Sequence, residues 1–285
     1  MIPARFDYAQ PTSLPQAVSV LSDAGEDAKV LAGGQSLLPL LRMRLAYPSV
    51  LVDVGCVSEL RGVRDEGDHL FVGAMTTQHD LVRDPLIREH CPLVSLTAAT
   101  VADPAVRHRG TIGGSLAHAD PAGDLPSVAV ALDMVFVTRS PREERRIAAA
   151  DFFLDYLESA LETDEILVGL EIPKLGPGWT YHYEKFHRTA QAWAIVGAAV
   201  AVRRADGHIA EARIGLTNMA PVPVRASSVE AAVAGAAIDD DVLRRACATA
   251  DEGTSPASDL HATPEYRRHL ARVLTRRALA TAARA

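Results

Sequence analysis

Two pairs of adjacent glycines, Gly33-Gly34 and Gly113-Gly114, interrupt apolar segments of the 285-residue chain. The first pair follows the run "KVLA" and precedes a leucine-rich segment, so the pattern predicts a strand, a tight turn and a helix. In such a turn the backbone N–H groups face outward, and the missing Cβ atoms let an anionic ligand approach the backbone. Ser36 adds a hydroxyl that can donate to a phosphate oxygen. These residue types indicate an anion-binding turn.

The second glycine pair lies in a longer polar segment, "GTIGGSLAHADPAGDLP". Thr111, Ser115 and His118 supply side-chain donors in this segment, and Asp124 supplies a carboxylate. Two glycine turns about 80 positions apart suit an elongated anionic ligand that is held at two places. The pyrophosphate of a dinucleotide fits this description.

Simpler explanations stay open from the residues alone. Each glycine pair could form a tight turn that binds no ligand. Asp124 could be the N-cap of a helix over "DLPSVAVALD", because Pro126 follows where a first-turn proline is favoured. A carboxylate has enough acceptor sites to cap a helix and to contact a ligand.

Other motifs for phosphates, metals or nucleophilic catalysis are missing from the sequence. None of the three lysines follows a glycine as a P-loop requires, and the G-x-G at Gly176 to Gly178 lacks the third glycine of a nicotinamide-binding turn. The ten histidines form no HxxxH or His/Cys cluster, so no metal site is predicted. We find no Ser/His/Asp nucleophile pattern, which favours chemistry carried by a cofactor.

Composition narrows the class of protein further. A formal net charge of −7 argues against nucleic-acid binding, which depends on Lys and Arg at the phosphates. No apolar run resembles a signal peptide or reaches the roughly 18–20 residues of a membrane span. The three cysteines lie far apart and form no disulfide framework. We therefore predict a cytoplasmic protein with reduced thiols and no membrane span.

Three units are predicted to position the glycine turns, with boundaries at residues 1–56, 57–175 and 176–285. The first alternates helices and strands, with strands at "AKVL" and "SVLVDVG". The second contains a hairpin around Asp65-Glu66-Gly67, helices at "TQHDLVRD", "PLVSLTAATV" and "LPSVAVALD", and strands at "MVFVT" and "EILVGLEIP". The segment "KLGPGW" is the predicted linker to the third unit.

The third unit is predicted to combine antiparallel strands with helices. Asp206-Gly207 marks a hairpin turn between two alternating strands. The last helix begins at Thr263 as cap, with Pro264 behind it. Its arginines are predicted to form a solvated or partner-facing surface; they are Arg267, Arg268, Arg272, Arg276 and Arg277.

Three segments carry a family resemblance: "AGGQSLLPLLRMRL", "VADPAVRHRGTIGGSLAHADPAGDLP" and "DEILVGLEIP". They resemble the FAD-binding medium subunit of the bacterial molybdenum hydroxylases, the carbon monoxide dehydrogenase and xanthine dehydrogenase family. The resemblance covers essentially the whole chain. It implies an α+β fold, with an FAD-binding domain of the vanillyl-alcohol oxidase/PCMH type made of two α/β subdomains. A C-terminal α+β domain would follow, with a three-stranded antiparallel sheet and helices.

The resemblance also implies FAD bound without a covalent link, and it implicates particular residues. The first motif implies a pyrophosphate contact at Ala32, Gly33, Gly34, Gln35 and Ser36. The second motif implicates Thr111, Gly113, Gly114, Ser115, His118 and Asp124. Ile166 and Leu167 would pack on the adenine side, and Lys185 would lie near the flavin.

This chain departs from the family pattern at three positions. Gln35 stands where members often have His, and His118 stands where they commonly have Asn or Thr. Ala192 stands where related sequences often carry Asp.

Tyr183 is open to two interpretations: it lies by the isoalloxazine, or it is a strand tyrosine that packs on the sheet.

The resemblance implies an electron-transfer subunit. A large subunit would hold the molybdenum cofactor, and a small subunit would pass electrons from its 2Fe–2S clusters to FAD. The resemblance implies that the three subunits assemble as a dimer of heterotrimers. Quinone, NAD or O2 would then accept the electrons. The three cysteines cannot ligate such clusters, which need four thiolates each. The alternatives are a stand-alone FAD reductase or oxidase of the same fold, and a non-catalytic nucleotide-binding assembly protein.

Overall fold

Parallel strand pairing at the start of the chain requires crossover connections, and helices provide them. The computed structural model describes residues 2–285. Its first unit contains β1 (Asp7–Ala9), α1 (Leu14–Ala24), β2 (Ala28–Leu31), α2 (Leu37–Met43) and β3 (Val50–Asp53). The strands form a parallel sheet in the order β1-β3-β2. Short 3-10 turns at Val54–Cys56 and Ser58–Leu60 lead out of the unit.

The second unit is built around a five-stranded antiparallel sheet in the order β4-β5-β10-β6-β7. The strands are β4 (Val63–Asp65), β5 (His69–Gly73), β6 (Val135–Arg139), β7 (Glu144–Ala148), β8 (Phe153–Asp155), β9 (Glu158–Ser159) and β10 (Ile166–Pro173). The helices are α3 (Gln78–Arg83), α4 (Pro85–His90), α5 (Pro92–Ala99), α6 (Pro104–Arg107), α7 (Ile112–Ala117), α8 (Asp124–Ala131) and α9 (Ala149–Phe152). Strands β8 and β9 form a separate hairpin.

The predicted hairpin, three helices and two strands of the second unit are present, and α4, α6, α7 and α9 are additional helices. Helices α4 and α6 begin at an Asp-Pro pair, where the aspartate accepts hydrogen bonds from the first turn. Asp84 accepts from the N–H groups of Leu86 and Ile87, and Asp103 accepts from that of Val106. These N-cap signals are legible in the sequence, but helices of six and four residues lack a visible period.

The third unit has one antiparallel sheet of three long and two very short strands. Its elements are β11 (Trp179–Phe186), β12 (Val196–Ala205), β13 (His208–Thr217), β14 (Val224–Arg225), α10 (Ser227–Val233), β15 (Ala236–Ala237), α11 (Asp240–Ala246), the 3-10 turn Cys247–Thr249 and α12 (Pro264–Arg284). The three long strands are the predicted sheet, and β14 and β15 extend it by two residues each. Asp206 and Gly207 both have positive φ, as the predicted hairpin turn requires.

Strand β12 is covered on both faces, which places the third unit against the second. Residues 196–202 are buried without interruption, as "VGAAVAV" allows because its side chains are small or branched. Helix α12 packs on β11 and β12, while α5 and α8 of the second unit also contact this sheet. Ala199 and Ala201 belong to the second unit's core, whereas Val200 belongs to the core beneath α12.

Arg267 contradicts the prediction that the arginines of the last helix lie on the surface. It is 1% exposed, although Arg272 and Arg277 on the same helix are exposed. Its guanidinium donates to the carbonyls of Ile195 and Ala257 and to the Asp259 carboxylate. The arginine therefore joins α12 to the segment before it and to the start of β12. Sequence pattern could not show this, because its neighbours in the helix are charged in the same way.

No helix between residues 2 and 285 combines the length and apolar character that crossing a membrane requires.

Replacement of the buried arginine should destabilise the fold, since it removes an ion pair and leaves two carbonyls without donors. We expect Arg267→Met to cost about 3 kcal/mol. Arg277→Met makes the same chemical change on an exposed position of the same helix and should stay within about 0.5 kcal/mol of the parent. Thermal unfolding followed by circular dichroism measures both. Equal Tm values for the two variants would contradict the structural role given to Arg267.

Candidate functional site

One cavity of about 560 Å³ lies where the three units meet. This volume is within the range of small-molecule and cofactor sites. All fourteen residues predicted from the sequence line it: Ala32, Gly33, Gly34, Gln35, Ser36, Thr111, Gly113, Gly114, Ser115, His118, Asp124, Ile166, Leu167 and Lys185. The structure therefore brings together side chains that are more than 150 positions apart in the chain.

The first glycine loop, residues 32–36, connects β2 to α2 and offers free backbone donors. Gly34 has a φ of 74°, a left-handed conformation that favours glycine. The N–H groups of residues 33–36 donate to no acceptor within the described part of the chain. The Gln35 side chain turns back and donates to the carbonyl of Gly33, so its amide helps to hold the loop. Backbone N–H groups that have no acceptor and lie beside a cavity can donate hydrogen bonds to a ligand that carries acceptors.

The second glycine loop differs, because its glycine N–H groups are already used. Gly113 donates to the carbonyl of Ala74 at 2.9 Å, and Gly114 donates to Thr111 Oγ1 at 3.1 Å. Thr111 is thus the N-cap of α7. The N–H groups of the second glycine pair are therefore not free, unlike those of the first loop. What the loop leaves for a ligand are side chains, among them the Ser115 hydroxyl, which has no partner within residues 2–285.

The glycines also allow the two loops to pack against each other, a role that the sequence did not show. A Cβ atom on Gly33 would overlap the carbonyl group of Arg109, just before the second loop. A Cβ atom on Gly114 would lie 3.4 Å from the Cβ of Ala32 and 2.8 Å from Thr111 Oγ1. Gly113 is similarly close to Ala74. The two loops are held in contact, backbone against backbone.

Asp124 is the centre of a buried polar group and not a helix cap. The N-cap of α8 is Gly123, and the Asp124 side chain makes no capping bond. Its Oδ2 accepts from Lys185 Nζ at 2.7 Å, and its Oδ1 accepts from the Tyr183 hydroxyl at 2.7 Å. Burial raises the pKa of Asp124, while Lys185 and Tyr183 act in the opposite direction. The capping alternative is therefore wrong.

Tyr183 lies behind Asp124 and is 6% exposed. It does not line the cavity, so the packing interpretation of this tyrosine is the one that the structure favours. Its hydroxyl also lies 3.2 Å from Thr217 Oγ1, which in turn donates to Ser127 Oγ at 2.7 Å. A chain of hydrogen bonds thus runs from β13 through β11 to the start of α8.

Ile166 and Leu167 close another part of the cavity at the start of β10, and both are buried. Glu165 precedes them and was not predicted. Arg145 and Thr138 donate to its carboxylate at 2.8 Å and 3.0 Å. Burial alone would raise the pKa of Glu165, but these donors and a backbone N–H outweigh it and lower the pKa. A charged residue directly before an apolar strand is the signal that could have identified it.

Further residues of the cavity wall were not predicted. Gln191 and Trp193 lie in the irregular segment between β11 and β12, whereas Gln78 is the first residue of α3; Ala192 also lines the cavity. Trp193 is 56% exposed, so the third unit contributes an open side as well as the buried Lys185. Across residues 2–285, no three His, Cys, Asp or Glu side chains come together as metal ligands would.

Comparison with known proteins assigns the family. Residues 4–175 match the model described as FAD binding domain in molybdopterin dehydrogenase, and residues 181–282 match the CO dehydrogenase flavoprotein C-terminal domain. The chain belongs to the FAD-binding medium subunits of the molybdenum hydroxylases. Members of this family are oxidoreductase subunits, and the family resemblance stated from the three sequence motifs is confirmed.

Individual members of the family match over almost their whole length. The carbon monoxide dehydrogenase medium chain of Afipia carboxidovorans is 40% identical, covering 98% of this chain and 97% of the relative. Caffeine dehydrogenase subunit beta of a Pseudomonas species is 36% identical, covering 99% and 96%. A solved carbon monoxide dehydrogenase from Hydrogenophaga pseudoflava matches with a TM-score of 0.96 at 40% identity, covering 99% and 98%. The predicted fold class is confirmed.

FAD is the cofactor of this family, and the cavity fits it. The first loop presents four adjacent N–H groups without acceptors, and a pyrophosphate supplies acceptors. Buried Ile166 and Leu167 offer an apolar surface for a ring. Lys185 brings a cation, and the Cβ atoms missing from the loops keep the backbone accessible. The donors, the apolar wall and the volume agree with a flavin dinucleotide.

A methyl group at the contact between the loops should weaken FAD binding without unfolding the chain. In Gly33→Ala the new Cβ must push Arg109 away, which displaces the first loop; we expect at least tenfold weaker binding, about 1.4 kcal/mol. Gly67→Ala, at the tip of a hairpin, is the control. Its new Cβ meets nothing within 4 Å, and because Gly67 has a φ of 94°, the only cost of the substitution is backbone strain. Titration of FAD fluorescence into each protein is the measurement. Equal affinities would show that the loop contact does not shape the site.

Proposed function

We propose that this chain is the electron-transfer flavoprotein of a heterotrimeric molybdenum hydroxylase. In this proposal it takes electrons from iron–sulfur clusters of a small partner subunit and passes them to quinone, NAD or O2. The observation that carries it is the convergence of all fourteen predicted residues on one cavity with open backbone donors. Bound FAD supplies one- and two-electron chemistry, and the protein binds and orients it.

The state of the cysteines supports a partner as the source of the clusters. Cys91 and Cys247 are buried, and burial raises the pKa of each thiol to about 12. A cluster needs four thiolates, whereas this chain has three cysteines that lie apart. Electrons from such clusters must then come from another polypeptide.

Each lining segment receives a separate role in the proposal. The N–H groups of residues 32–36 hold the pyrophosphate, and Ser115 and His118 add side-chain donors from the second loop. Ile166 and Leu167 pack on the adenine side. Lys185 lies toward the flavin ring, where the third unit opens at Trp193.

Substrate oxidation is proposed to occur in another subunit. The chain is 40% identical to a medium chain of carbon monoxide dehydrogenase and 36% identical to a subunit of caffeine dehydrogenase. These two relatives are named for chemically unlike substrates, yet this chain matches both over nearly their full length. The similarity supports a shared task that does not depend on the substrate. A large molybdenum-cofactor subunit would carry the substrate site, in a dimer of heterotrimers located in the cytoplasm.

The domain boundaries at residues 1–56, 57–175 and 176–285 remain part of the proposal. Three separate hydrophobic cores support them. One lies under the parallel sheet of the first unit, one between the second sheet and its helices, and one beneath α12.

Purification through an affinity tag on this chain, from its own host, tests the proposed function. We expect a complex that contains stoichiometric FAD, one larger and one smaller partner polypeptide, iron and molybdenum. Flavin reduction should follow addition of the complex's substrate and should stop when the small subunit is removed. A tagged chain that is free of flavin in the complex would refute the proposal. Turnover of a small reductant by this chain alone would instead favour a stand-alone reductase.

A further inference from the structure

Lys185 has one hydrogen-bond donor more than the protein uses. Its ammonium group donates to Asp124 Oδ2 at 2.7 Å and to the carbonyl of Thr100 at 3.2 Å. A lysine ammonium has three N–H groups, and the described residues offer no acceptor for the third. The side chain is 4% exposed and lines the FAD cavity. The third donor is therefore left for a ligand in that cavity.

Stability does not explain why this ion pair is buried. Desolvation of two charges roughly cancels their attraction, and apolar residues of similar volume often stabilise a fold equally well. Lys185 is on β11 of the third unit and Asp124 is at the start of α8 in the second. The pair thus brings a cation from one unit to a cavity whose other walls come mostly from the other two. A role toward the ligand accounts for the arrangement.

The openness of the cavity indicates which part of FAD this cation faces. Ile166 and Leu167 are nearly inaccessible, whereas Trp193 is more than half exposed. A ring that exchanges electrons with a partner must lie near the accessible side, because electron transfer requires close approach. Lys185 and Trp193 belong to the same unit and line the same cavity. In the proposed function the third unit faces the flavin ring, and we take the Lys185 cation to lie on that side of the cavity.

The Tyr183 hydroxyl holds the Asp124 carboxylate in place, and this carboxylate in turn holds the Lys185 ammonium group. The hydroxyl occupies Asp124 Oδ1, which leaves Oδ2 for Lys185. Both contacts are donated to Asp124, so its two oxygens serve as the acceptors for Tyr183 and Lys185. Gly197 lies across from this hydroxyl, and a Cβ atom there would crowd it, so the position of the ring is tightly defined.

We propose that Lys185 places a fixed positive charge beside the flavin ring and favours its reduced form, and that Tyr183 is a positioning residue acting through Asp124. The inference rests on the proposed function. Two electrons from the partner's iron–sulfur clusters and one proton convert the neutral oxidised ring to a ring with one negative charge. A preorganised cation stabilises that added charge in a site with little water.

The test compares the affinities of oxidised and reduced FAD in the tagged complex, through the flavin potential and oxidised-FAD titration. In Lys185→Met we expect the preference for reduced FAD to fall at least tenfold, which is about 30 mV for a two-electron couple. Lys185→Arg keeps the charge and should keep the parent potential. An unchanged potential in Lys185→Met would overturn the role of the lysine.

Tyr183→Phe tests the positioning role, with Tyr181→Phe as its matched control two positions away on the same strand. Tyr181 makes no hydrogen bond to Asp124. Without the Tyr183 hydroxyl, Asp124 Oδ1 has lost its donor and the carboxylate can rotate, so the ammonium is held less firmly toward the cavity and the potential should fall, by less than in Lys185→Met. The double variant Tyr183→Phe/Lys185→Met should match Lys185→Met, since both changes act through one charge.

Each result decides one part of the inference. Equal potentials for Tyr183→Phe and Tyr181→Phe would overturn the positioning role. Should Lys185→Met fail to bind FAD, the comparison of these two tyrosine variants decides the whole inference in either direction. A parent complex without flavin would instead mean that the proposed function is wrong, whereas a flavin-loaded parent with unresponsive variants would refute this inference alone.

Discussion

The contact between the two glycine loops is the constraint on which the site depends. Gly33 lies against the carbonyl of Arg109 so closely that no side chain fits between them. This contact joins the first unit to the second at the cavity wall. It also sets where the free N–H groups of residues 33–36 stand relative to Ser115 and His118. The grip on an elongated ligand is then a property of two loops held as one body and not of either loop alone.

The buried group around Asp124 makes the corresponding connection to the third unit. Asp124 belongs to α8, and both of its donors come from β11. Helix α8 packs on the same sheet, and the small residues of β12 allow this close approach. Apolar packing brings the units together, and the directional bonds to Asp124 specify their register. The cavity acquires its cation from this second connection.

Local pattern predicted much of this molecule, since periodicity and turn residues are local properties. The hairpin at Asp206-Gly207, the cap at Thr263 and the turn after β2 follow from the residues themselves. Arg267 was misjudged, and the capping alternative for Asp124 was wrong, because the partners of these residues are distant in the chain: Ile195 for the arginine, and Tyr183 and Lys185 for the aspartate. The glycines of the second loop show the same limit. Their residue type was informative, but the acceptors that use their N–H groups are visible only after folding.

The free N–H groups of the first loop link the stability of the folded subunit to the concentration of its cofactor. In the unfolded chain water satisfies these N–H groups, whereas in the folded chain a cofactor can do so at residues 33–36. A ligand that binds only the native state raises the free energy of unfolding with the logarithm of its concentration. The amount of folded subunit in a cell would therefore follow the local flavin pool, so that flavin biosynthesis and subunit abundance are linked by mass action.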